Sequence, residues 1–249
     1  MSPAPTSQGN TGELQSLFQQ FVQQLSTDSK LAEQLTAWSR AHRRWRSHWA
    51  ERGVMSHDRV LALLLPNAAD GEANQWVHPI VDEAPELRAW RERLDSAASA
   101  RRDELSATFV RVIASIEGNP GSLADGCNEL ERAAGDVGLP LAALTAALGA
   151  LDPNSRTVVC DAWLRTVSRY DGRPLRTGAS AFPDVNSASM RVLSAAEGGR
   201  PLPPALERTP AAERFGVFCT WLARANAEPA GAARFDVTRR KYKDWPPMW

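Results

Sequence analysis

The residues best placed to do chemistry lie between Leu130 and Gly172. A β-branched run, Thr157-Val158-Val159, leads through Cys160 to Asp161, and a helical pattern follows. Such a run fixes an extended approach and delivers one carboxylate to a helix start. There the helix dipole and the free first-turn amides stabilise its charged form. The same position suits a helix cap, whose side chain accepts from the amides two and three residues on, so both roles are open. Upstream, Asp136-Val137-Gly138-Leu139-Pro140 sits between two amphipathic segments. A tight turn there is either plain helix–helix punctuation or a device that points backbone N–H groups, at Val137 and Gly138, toward a phosphate. The second use grips DNA without reading its sequence. A third cluster lies downstream, where Arg239, Arg240, Lys241 and Lys243 interleave with Tyr242 beside Trp245 and Trp249. It fits a phosphate backbone. It equally fits docking of the tryptophans into the protein's own core or a partner's groove, with Pro246-Pro247 stiffening the approach.

These residues need elements to hold them. Residues 1–11 read as a disordered leader and 12–66 as an N-terminal helical region. Leu14, Leu17, Phe18, Phe21, Val22 and Leu25 line one side of a first helix. Ser26-Thr27-Asp28 offers caps for a second, about Ser29 to Arg52. On it Leu31, Leu35, Trp38, His42, Trp45 and Trp49 recur at steps of three and four, which places them on one stripe. With Arg40, Arg43, Arg44 and Arg46 mostly off that stripe, this Trp-rich helix is either a core face with a solvated basic back or a stacking platform for bases. A short helix from Ser56 to Leu65 precedes a loop at 67–84, longer than a compact connection needs and so a boundary or a lid. A helical domain spans 85–227. It opens on one long helix from Pro85 to about Ile116, broken by Gly118-Asn119-Pro120-Gly121. After the central stretch come an irregular region over 170–186, a helix at Ser187–Glu197, a Gly/Pro linker and a helix from Thr209 to Ala227. Residues 228–249 form the basic–aromatic tail. Strand signals are confined to Thr157–Cys160 and Val77–Val81. The expected fold class is therefore all-α or nearly so: a multi-helix globular domain with a helix-hairpin-helix-like element and at most one short extended segment.

The central pattern resembles the helix-hairpin-helix DNA glycosylase superfamily, in particular its oxoguanine-glycosylase-like branch, over about forty residues. Asp136-Val137-Gly138 stands where that family has a Gly-Val-Gly-type hairpin, and Ala142 matches the alanine after it. Val158-Val159-Cys160-Asp161 stands at the family's Val-Asp, with Leu164, Arg165 and Val167 matching the following helix. The resemblance implies that Val137, Gly138 and Arg165 contact DNA. It implies that Asp161 activates water or stabilises an oxocarbenium ion, as in a monofunctional glycosylase. Base flipping needs an aromatic or apolar pocket, a role that would fall to Trp163, Tyr170 and Phe182. Asp136 replaces the first hairpin glycine, and Ala162-Trp163 replaces the Thr-His after the family Asp. Pro140 or Leu141 stands where bifunctional members carry lysine, so Schiff-base lyase chemistry is not implied. No iron–sulfur cysteine motif is present.

Composition narrows the rest. The formal net charge is zero, so attraction to nucleic acid or an anionic membrane has to be local. Cys127, Cys160 and Cys219 form no CxxC pair, which suits a reduced compartment. His42, His48, His57 and His78 share no ligand spacing with a cysteine or carboxylate cluster, so no metal is expected. No phosphate-cradling or dinucleotide-binding glycine motif occurs, so no cofactor is expected. Neither a signal peptide nor a long apolar run is present, which makes cytoplasmic the default location without membrane contact. Two functions follow. One is a DNA-engaging helical protein, a degenerate or monofunctional base-excision glycosylase-like protein. The alternative is a non-enzymatic accessory subunit, for example of a DNA-targeting defence system, with a protein partner bound through the Trp-rich helix or the C-terminal tail.

Overall fold

Helix α6, Leu141–Leu151, sits at the centre because nothing on it wants water. Every residue from Leu141 to Ala150 is buried, and a helix that is apolar all round belongs inside a core. Its alanines and Gly149 let neighbours come close: a Cβ on Gly149 would lie 2.7 Å from a Val158 methyl. The computed structural model describes residues 7–51 and 78–227. Around α6 stand α1 (Ser7–Leu25), α2 (Ser29–Ala50), α3 (Pro85–Ser96), α4 (Ser99–Gly118), α5 (Leu123–Ala134), α7 (Asp161–Asp171), α8 (Phe182–Glu197), the short α9 (Pro204–Glu207) and α10 (Ala211–Ala227). Single 3-10 turns occur at Pro79–Asp82, Pro120–Ser122 and Ala179–Ala181. The described residues contain no strand, and the class is all-α as the periodicity requires. None of their helices is long and apolar enough to cross a membrane.

The aromatic stripe of α2 faces inward. Asp28 caps the helix by accepting from the Lys30 amide at 2.9 Å. Leu31, Trp38, His42, Trp45 and Trp49 are all buried, and Leu35 packs half-buried against the same core. Burial of three indoles on one helix is a large apolar contribution, and it anchors α2 on α6 and α10. Arg40 and Arg43 point outward, while Arg46 reaches across to donate to the Ala150 carbonyl at 2.8 Å. The buried residues of α1 and α2 and those of 84–222 form one cluster.

Two boundaries differ from the sequence reading. The single helix expected over Pro85–Ile116 is two helices. Ala97 and Ala98 both take extended backbone (ψ 151° and 144°), between Ser96 and Ser99. Neither glycine nor proline marks this break. An unbroken helix of that length would run about 48 Å, and the corner instead lets α3 meet α6 while α4 pairs with α5. The helix expected at Ser187 begins five residues earlier at Phe182, with Pro183 in its first turn, where proline loses no hydrogen bond.

The run before Asp161 forms no strand; Cys160 at its end is extended (φ −118°, ψ 165°), and two side chains bond its backbone. Thr145 of α6 donates its hydroxyl to the Val159 carbonyl and accepts from the Val159 amide, both at 3.0 Å. Asn186 of α8 accepts from the Thr157 amide at 2.7 Å. These bonds satisfy the buried backbone of a segment that has no sheet to join.

Candidate functional site

Helix α3 carries the site, because it touches both the Gly135–Gly138 turn and Asp161. Arg93 donates its Nε to the Val137 carbonyl at 2.8 Å. Seven residues earlier, Glu86 accepts from the Asp161 amide at 2.9 Å. Positions i and i+7 share one helical face, so the turn and Asp161 flank the same side of α3, about 10 Å apart along its axis.

The turn joins α5 to α6 in six residues. Gly135 takes φ 53° and Gly138 φ 70°, left-handed values that side chains resist. Val137 is buried, while Gly135 and Asp136 are exposed. The turn is closed from within: the Val137 amide donates to the Ala134 carbonyl and to the Asp136 carboxylate, and the Gly138 amide to Gly135. Two guanidinium groups bracket it. Arg93 uses only Nε on Val137, and a Cβ placed on Gly138 would sit 3.7 Å from one of its terminal nitrogens. A Cβ on Gly135 would lie 2.6 Å from a terminal nitrogen of Arg101. Arg101 also meets Glu104 at 2.7 Å, an exposed pair of the kind worth about 0–1 kcal/mol and easily exchanged.

Asp161 does not cap its helix. Cys160 occupies the N-cap, and Asp161 is the first helical residue. Its carboxylate is half-buried, and Oδ1 is shielded from solvent without a hydrogen-bond partner. Burial pushes its carboxyl above the ordinary aspartate range. Burial likewise raises Glu86, partly offset by the hydrogen bond from the Asp161 amide, and the Asp161 charge adds to the rise. Two half-buried carboxyls side by side are costly, and such costs concentrate where groups have work to do.

The other expected residues divide. Trp163 is buried and stacks on Trp38, ring centroids 6.3 Å apart. Phe182 has no exposure. Both rings are therefore core and present no open face to a base. Tyr170 is half-buried with the Arg169 guanidinium over its ring, 5.1 Å from the centroid. Arg165 is exposed on α7. Arg239, Arg240, Lys241 and Lys243 lie outside the described residues, as do the helix expected at Ser56–Leu65 and His57. Cys127, Cys160 and Cys219 are buried free thiols, and burial pushes Cys127 up to about 12, which makes it a poor nucleophile.

Sequence reasoning passed over two features. Glu86 looks like an ordinary first-turn acid on α3. Under Trp38 lies a polar network: Glu213 of α10 accepts from Ser39 and, at 3.2 Å, from His42 Nδ1. His42 and His78 then face one another with centroids 5.0 Å apart. A glutamate on an Ala-rich helix carries no mark of such a role. No group of three or more His, Cys, Asp or Glu among the described residues has a metal-holding arrangement. Comparison of the chain with protein-family models, with curated proteins and with solved structures returns no match.

Proposed function

We propose that the chain engages the phosphate backbone of DNA through the Gly135–Gly138 turn, and that it does so as a binding protein without base excision. The observation that carries this reading is the bracketing of a partly exposed two-glycine turn by Arg93 and Arg101. Guanidinium groups suit bidentate phosphate contact, and glycines let a backbone approach closely. The turn's own amides are engaged internally, so the arginines supply the donors. Arg165, exposed on α7, adds charge in the same sense. Two facts weigh against excision. Burial raises the Asp161 carboxyl and its Oδ1 has no hydrogen-bond partner, whereas a water-activating or cation-stabilising carboxylate is supported in its charged form by donors. Trp163 and Phe182 are spent on the core, which removes the stacking walls a flipped base needs.

The test is fluorescence anisotropy with a labelled duplex, comparing wild type with Arg93→Ala/Arg101→Ala. Binding weakened to the same degree on unrelated sequences supports backbone contact. Unchanged affinity in the double variant removes the turn from the interface. Release of a base from damaged duplexes, abolished by Asp161→Asn, would overturn the non-excising part.

A further inference from the structure

A groove runs along α1, outside the arginine-flanked turn. It encloses about 190 Å³ between α1 and residues 196–203. Phe18, Val22 and Leu202 give it apolar walls, with Pro201 and Pro203 at one side and glutamines of α1 along the other. That volume falls below the roughly 300–1,000 Å³ of small-molecule pockets and suits the insertion of a large side chain.

From this groove we infer an intramolecular docking site for the basic–aromatic segment 228–249, with Trp245 or Trp249 as the inserted group. The inference is independent of the DNA reading. Its first support is the course of α10. Phe218 packs on Phe18 and Phe21, centroids 5.1 and 5.4 Å away, and Trp221 packs on Phe21 at 5.9 Å. Rising numbers on α10 therefore meet rising numbers on α1, so the helices run parallel and α10 leaves at the Gln23 end of the groove. From Gln23 to Gln15 the groove follows eight residues of α1, about 12 Å. The chain from 228 to Trp245 spans up to about 56 Å when extended, ample to turn back along it.

The second support is chemical. The α1 glutamines already accept an indole: Trp221 donates Nε1 to the Gln24 side chain while its ring stacks on Phe218. Gln15, Gln19 and Gln23 offer the same acceptor along the groove, beside an apolar wall of the same kind. A tryptophan buries about 150–250 Å² of surface when docked. A Pro-Pro pair such as Pro246-Pro247 favours extended backbone in general, which lowers the ordering cost of laying a segment in a groove.

Hydrogen exchange on the full-length chain tests this, read on peptides covering 198–203 and 241–249. Trp245→Ala/Trp249→Ala leaves every described contact intact, and in that variant the 198–203 peptide exchanges roughly tenfold faster or more. Val22→Glu, placed in the groove wall, frees the 241–249 peptide to the same extent. Equal exchange of 198–203 in wild type and the tryptophan variant overturns the inference. Protection that disappears on dilution also overturns it, because a second copy then fills the groove.

Discussion

Replacing Glu213 with alanine uncouples α10 from α2, and the size of the effect follows from who loses what. Glu213 is 2 % exposed and His42 is 0 % exposed. Burial alone would raise the Glu213 carboxyl, but hydrogen bonds from His42 and Ser39 outweigh it and hold it below the usual range. Bonds to a charged acceptor are worth about 1.5–3 kcal/mol each. Ser39 is only half-buried, so water replaces most of its loss. His42 already lacks a partner at Nε2 and would be left with both ring nitrogens bare. Breaking a buried pair from one side costs about 3–5 kcal/mol, and with Ser39 recovering water the loss sits at the low end. The expected loss is about 3 kcal/mol, or roughly 6–12 °C in Tm for a domain of this length. Urea unfolding and calorimetry on wild type, Glu213→Ala, His42→Ala and the double variant measure it, and the double variant loses less than the two singles added together. A loss below about 1 kcal/mol for Glu213→Ala would mean that water satisfies the network, and the reasoning would fail.

Three further outcomes follow. Asp161→Asn is more stable than wild type at neutral pH. Its folded carboxyl is raised, so the folded state holds the proton more tightly, and stability falls as pH rises from about 3.8 through the raised value; urea midpoints across that range read the gain, and a less stable variant contradicts it. His78 is held well below 6.5 by burial and by His42, so the unfolded chain binds the proton more readily and stability declines as pH drops below 6.5. His78→Asn, which keeps an acceptor for the Ile80 amide, flattens that decline, and an unchanged profile would exclude His78 as its source. Gly216→Ala puts a Cβ 2.3 Å from the buried Trp38 ring and costs about 1–3 kcal/mol by overpacking, whereas Gly118→Ala, with nothing within 4 Å, leaves Tm near wild type.

The helices were legible wherever an apolar face repeats. The α2 stripe shows this: five of its six positions are buried and the sixth is half-buried, the core-face alternative of the two its spacing allowed. The extended backbone at Cys160 fits the β-branched run that precedes it. The corner at Ala97–Ala98 was not legible. Alanine is the best helix former, and only the competing demands of α5 and α6 bend the chain there. For Asp161 the sequence left cap and catalytic roles open, and the cap role falls away because Cys160 takes that place and a backbone angle decides it. Arg93, Arg101 and Glu86 were invisible as site residues. None carries a mark of a site in the sequence, and each acquires a role only from a segment 34 to 75 residues away.

The central claim is backbone contact at the Gly135–Gly138 turn, and a salt titration of duplex affinity tests it most directly. The logarithm of the affinity falls with the logarithm of salt at about 0.9 per phosphate neutralised. Arg93→Ala/Arg101→Ala, with the tail left intact, therefore shallows the slope by about 2. A double variant with the wild-type slope, or a wild type that binds no duplex at low salt, contradicts the account.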